Sequence, residues 1–159
     1  MDFSQLTAGD RHEAGSWLHL SHPANGLPLY LGDGNTVTTE ETDAPCEVLV
    51  RGNRSAKVKA CLDARQRAEE AYSMKVLRAS ESDQAGLLAQ NAKAREAHQR
   101  DLLVATVADW RNIVLQEGEA PAQCTPENVL KALTHPAFMV AIFRRSQDEG
   151  ALFTSAPTG

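Results

Sequence analysis

From Ser55 to about Leu103 the chain has no proline and a single glycine, Gly86, and is dominated by Ala, Glu, Arg, Lys and Gln. These residues are strong helix formers, and Ser55 stands where an N-cap belongs. One unbroken helix over that length would run roughly 70 Å. A compact domain of 159 residues is narrower than that. The helix must therefore project or break. Ser80-Glu81-Ser82-Asp83, with Gly86 close behind, is the favoured place for a break, because these are cap and turn residues.

The same stretch has little to bury. A heptad trial from Val58 places Val58, Leu62, Arg65, Glu69, Tyr72, Val76 and Ala79 on the seam, with two charged residues among them, which fits a strict coiled coil poorly. Ala64, Ala68 and Ala71 form a thin small-residue stripe beside it, which lets helices approach but removes little area from water. A helix of this kind frays when alone. Two outcomes stay open: it folds back on itself as a hairpin, or it waits for a partner helix, from a second copy or another chain. For the second outcome Leu62, Tyr72 and Val76, with the flanking Arg65 and Lys75, are the expected partner-binding residues.

The flanking regions read differently. Over 16–50, short apolar runs are cut by turn residues. Ser16 to Leu20 alternates as a strand does. Asn25-Gly26 suits a tight turn, Leu27 to Leu31 is the returning strand, and Gly32 to Asn35 is a second turn before the β-branched Thr36 to Thr39. Pro45 to Val50 is the most convincing strand. A small antiparallel β-meander is the simplest arrangement. From Asp101 to Leu115 the apolar residues Leu103, Val107, Trp110 and Val114 follow helical spacing, so a continuation of the central helix is expected. Thr125-Pro126-Glu127 starts a further helix, with a capping hydroxyl, a proline at the first position and an acid at the positive end. Pro136 to Arg145 starts another, and Ala156 to Gly159 is expected as a frayed tail. The fold class is α+β. A β region over 1–54 leads to a long charged helix over 55–100, and then to a C-terminal helical module over 101–155 with Trp110 in its core.

Charge follows the same divisions. Residues 1–54 carry net −5, residues 55–100 net +3 and residues 101–159 net −3, which together make the chain's −5. An acidic balance argues against a general nucleic-acid binder, whose affinity comes from neutralising phosphates. The longest apolar run, Ala137 to Phe143, is seven residues, against about twenty for a membrane span. No basic residues precede an apolar run at the start, so no secretory signal is expected. Cys46, Cys61 and Cys124 are odd in number and far apart, and form neither a disulfide framework nor a CxxC site. A reducing compartment fits.

The search for chemistry is unproductive. His19 and His22 straddle a strand end and a turn without a third ligand. Gly32-Asp33-Gly34-Asn35 lacks the ending of a phosphate loop and the acids of a calcium loop. Glu40, Glu41 and Asp43 read as a solvated loop. Cys124 beside a helix start is at most slightly acidified. No catalytic residue, cofactor or metal site is expected, and an enzyme is not.

Two stretches together carry a resemblance. The first runs Gly15-Ser16-Trp17-Leu18-His19-Leu20-Ser21-His22-Pro23, then Gly26-Leu27-Pro28-Leu29-Tyr30, then Pro45 to Ser55. The second runs Val107-Ala108-Asp109-Trp110-Arg111-Asn112-Ile113, the Gly118 loop, and Thr125-Pro126-Glu127-Asn128-Val129, ending at Leu152-Phe153. Over roughly two thirds of its length the chain resembles small tail-morphogenesis proteins of long-tailed bacteriophages and prophages, read as tail assembly chaperones. The resemblance implies a non-enzymatic protein of the host cytoplasm. It would bind the tape measure protein, keep it soluble and help recruit tail tube subunits. The competing expectation is a structural tail or neck component retained in the virion, with a homo-oligomer as one form.

Overall fold

The computed structural model describes residues 8–154; the expected C-terminal tail lies outside them. The long central stretch does break, at Ala79–Ser80. Helix α2 covers Ala56–Arg78 and α3 covers Glu81–Thr106, with Ser80 in the cap position. The Ser80 hydroxyl donates to the Asp83 carboxylate at 2.8 Å, and the Asp83 amide donates to the Ser80 carbonyl. Gly86 lies inside α3 and not at the break. Cys61 lies against Asp101 and Glu69 against Arg95, so the two helices run antiparallel as a hairpin. Of the two outcomes left open, the chain folds back on itself.

The start of α2 is fixed from outside. Ser55 occupies the N-cap with extended backbone, yet its hydroxyl makes no capping bond. The Ala56 amide donates instead to the Glu13 carboxylate at 2.6 Å. Glu13 belongs to α1, Ala8–Ala14, a short helix within the stretch expected as a β region over 1–54. Gly15 ends it at φ 76°, and a Cβ there would press on the Val50 carbonyl, so both the backbone and the close approach require glycine.

The antiparallel sheet is present, but its strands are not paired consecutively. The order is β1 (Ser16–His19), β4 (Glu47–Val50), β5 (Val107–Arg111), while β2 (Tyr30–Gly32) and β3 (Thr36–Thr38) pair separately. Burial explains why. β4 alternates cleanly and hides Val48 and Val50 completely, so it takes the centre with a partner on each side. β2 and β3 have little to hide, and Val37 is 44% exposed.

The helix expected through Leu115 ends at Thr106, and Val107–Arg111 is a strand. The register shows the reason for the misreading. Leu49 faces Asp109 and Val50 faces Val107, so Ala108 is the extra residue of a β-bulge. The bulge lets Val107 and Trp110, three apart, both face the core opposite Val50 and Val48. A strand with a bulge thus imitates helical spacing. Arg51 stabilises the changeover: its guanidinium donates to the carbonyls of Ala105 and Val107, and its amide to that of Thr106.

The C-terminal helices follow their start signals. α4 is Pro126–Ala132, capped by the Thr125 hydroxyl accepting from the Asn128 amide. α5 is Pro136–Gln147, capped by His135 accepting from the Ala137 amide. α6 is Glu149–Thr154. The core joins Val48, Val50, Leu103, Trp110, Leu133 and Ile142. Trp110 is buried as expected, though it comes from a strand, with its indole N–H donating to the Ala122 carbonyl at 2.7 Å. Regions 1–54 and 101–155 therefore share one sheet and one core, and the hairpin is inserted between them.

Candidate functional site

The hairpin is the part of the molecule least used by its own fold. In α2 only Val58 is buried, and in α3 burial is confined to Asn91 and to Leu103, Ala105 and Thr106 at the base. At 23 and 26 residues the helices are about 35 and 39 Å long, so most of that length lies beyond the sheet-and-helix body. Toward the tip Met74, Leu77 and Leu88 are 50%, 80% and 63% exposed.

The expected partner-binding residues fall at three places on this hairpin. Leu62 is exposed at the base and borders a small cavity with Val58, Leu102 and Phe143. Tyr72 and Lys75 line a groove of about 290 Å³ between the helices, with Leu87, Gln90 and Ala94 across from them. Arg65 and Val76 are half-buried on α2. Tyr72 is therefore partly spent on α3, the helix that the chain supplies to itself. Met74, Leu77 and Leu88 were not anticipated. Their only sequence signal is an apolar residue at a position that hairpin closure leaves outside.

At about 100° per residue, the hairpin has two unlike sides. One carries Leu62, Arg65, Val76 and Leu88 around a bidentate pair, with Arg95 Nε and Nη2 at 2.7 and 3.0 Å from the Glu69 carboxylate oxygens. That hydrogen-bonded guanidinium holds the Glu69 carboxyl below its usual range. The other side carries the grooves between the helices and an excess of basic residues.

The remaining reactive side chains are occupied locally. His19 Nε2 lies 2.7 Å from the Leu29 carbonyl and its ring meets Tyr30 edge-on, while His22 Nδ1 accepts from the Ala24 amide. Cys46 is buried with its thiol on the Asn112 carbonyl, and burial pushes it up to about 11. Cys124 is not acidified by the nearby helix start, since burial pushes it too up to about 11. Cys61 is raised by burial and by Asp101. Among the described residues no group of three or more His, Cys, Asp or Glu side chains is placed to hold a metal ion, and no helix is long and apolar enough to cross a membrane. Compared with known protein families, curated proteins and solved structures, the chain matches none of them.

Proposed function

We propose that this chain is a non-enzymatic tail assembly chaperone of a long-tailed bacteriophage, acting in the host cytoplasm. It binds the tape measure protein through the helical hairpin and assists assembly of the tail tube around it. Two things support the reading: the resemblance carried by Gly15–Pro23, Asp109-Trp110 and Thr125-Pro126-Glu127-Asn128-Val129, and the hairpin itself. The single observation that carries it is a pair of long helices with one buried residue in α2 and exposed Met74, Leu77 and Leu88 near the tip. A tape measure protein is long and helical, and a bare helical hairpin offers such a partner the packing that neither has alone.

Co-expression with the tape measure protein encoded beside it tests the reading. The expected outcome is a soluble complex in place of aggregated tape measure protein. No complex and no gain in solubility sink it. Mass spectrometry of purified particles tests the alternative, since a stoichiometric copy number in the virion would mark a structural tail or neck component instead.

A further inference from the structure

Two grooves open along the same side of the hairpin. One, of about 660 Å³, lies at the base between the hairpin and the body, with Lys57, Ala60 and Cys61 of α2 and Asp101 of α3 facing Val107 of β5 and Val129 of α4. The other, of about 290 Å³, lies nearer the tip and takes Ala68, Ala71 and Lys75 from α2 and Gln90 and Ala94 from α3. Along each helix these positions follow one three-and-four spacing, so the grooves form one seam. Ala60, Ala68, Ala71 and Ala94 form part of its floor, beside the larger Tyr72 and Leu87. Its rim is basic. Lys57 and Lys75 line it, Arg67 and Arg78 fall on the same side of α2 by the same spacing, and Asp83 falls there on α3, which leaves cations in excess. All four cations are exposed, and among the described residues none of them makes an ion pair. Among the described residues Asp101 is the only carboxylate lining either groove. On the opposite side Glu69 and Arg95 already neutralise each other, with the half-buried Arg65 beside Glu69.

We propose that this seam is a docking groove for an acidic amphipathic α-helix of a partner protein. The inference rests on reading the hairpin as the partner-binding element, and adds which side binds and what chemistry it selects. From Lys57 to Arg78 the rim runs about 32 Å, room for about six turns of a docked helix. Apolar residues on the partner would seat against the alanines, Tyr72 and Leu87 of the floor, while Asp or Glu on its flanks would meet the unpaired cations. A nucleic acid is disfavoured, because the regions on either side of the hairpin carry net −5 and −3 and repel a polyphosphate.

The test uses the full chain and two synthetic helical peptides of about six turns. One is built from Leu, Ala and Glu, and the other has Lys in place of every Glu. By fluorescence anisotropy the chain should bind the glutamate peptide at least about tenfold tighter than the lysine peptide, and less so at high salt. In the variant Lys57→Glu/Arg67→Glu/Lys75→Glu/Arg78→Glu the preference should invert, with helicity checked by circular dichroism. Should that variant fail to fold, Arg67→Gln/Arg78→Gln should still weaken the preference by about threefold or more. Lys59→Gln, exposed on α2 and off the seam by the same spacing, should leave it unchanged. Equal binding of the two peptides, or a preference that survives charge reversal, overturns the proposal. So does a dimer in sedimentation that excludes both peptides, or tighter binding of duplex DNA. A chain that selects the glutamate peptide yet fails to solubilise the tape measure protein would keep this proposal and sink the chaperone reading. Rescue of the tape measure protein by the charge-reversed variant would do the opposite.

Discussion

His12 is fully buried at the point where α1, α6 and the β4–α2 connection meet. Its Nδ1 accepts from the Arg54 amide at 3.1 Å, and its Nε2 lies 3.7 Å from Glu149. A Cβ on Gly52 would run into the ring, so glycine there is a packing requirement. Burial lowers the pKa of His12 below 6.5, with Glu149 opposing and Arg54 adding to the effect. The fold therefore favours neutral imidazole. Its contribution is complete above the ordinary value of 6.5 and declines as pH falls through 6.5 toward the lowered folded-state value. Denaturant unfolding at stepped pH should show this loss, and His12→Asn, which retains an acceptor for Arg54, should flatten it. Identical pH profiles would mean that His12 does not report the closure of α1. Trp110 gives a second expectation at this scale. Trp110→Ala should destabilise by about 3–5 kcal/mol, as removal of a buried large aromatic does. An unchanged melting temperature would contradict its burial.

At the scale of elements, local chemistry announced most of the fold. Thr125-Pro126 and the polar break at Ser80 act within one turn of chain: Thr125 caps α4 with its hydroxyl, while Ser80 takes the N-cap position of α3 without a side-chain capping bond. β4 was legible because a central strand needs alternation on its own account. β5 was not, because its inward set is created by a bulge against β4, a long-range partner that periodicity cannot see. The same holds for the hairpin site: composition marked the helices as under-buried, but which side stays open depends on how α2 meets α3. Glu13 as the cap of α2 was equally hidden, since it comes from another helix. Deleting Ala108 makes the bulge testable. Without the extra residue Val107 would stand beside Asp109 and opposite Val50 by plain alternation, so it should stay inward, and the cost should remain below the about 1.5–3 kcal/mol of losing one buried aliphatic side chain. Chemical denaturation would measure it, and a larger loss would show that the extra residue is needed to join the strand to α3.

The whole molecule is two layers of different purpose. A body made from both ends of the chain holds the sheet, α4, α5 and the core around Trp110, and α2 and α3 leave it between β4 and β5. The body's core takes Val58 and Leu103 from the base of the hairpin, while from 59 to 102 the only buried residue is Asn91. Closing β4 on β5 across a shorter connection costs slightly less chain entropy, by about 0.6 kcal/mol for each halving of loop length. Replacing residues 67–96 with a short glycine-containing turn should therefore leave the body folded, with its stability within about 1 kcal/mol of the parent. Fluorescence of Trp17 and Trp110 during denaturant unfolding would measure that, and binding of a helical partner should disappear in the same protein. Retained partner binding would move the site to the body. Collapse of the body's stability would make the distal hairpin a structural element and remove the reason for its exposed residues.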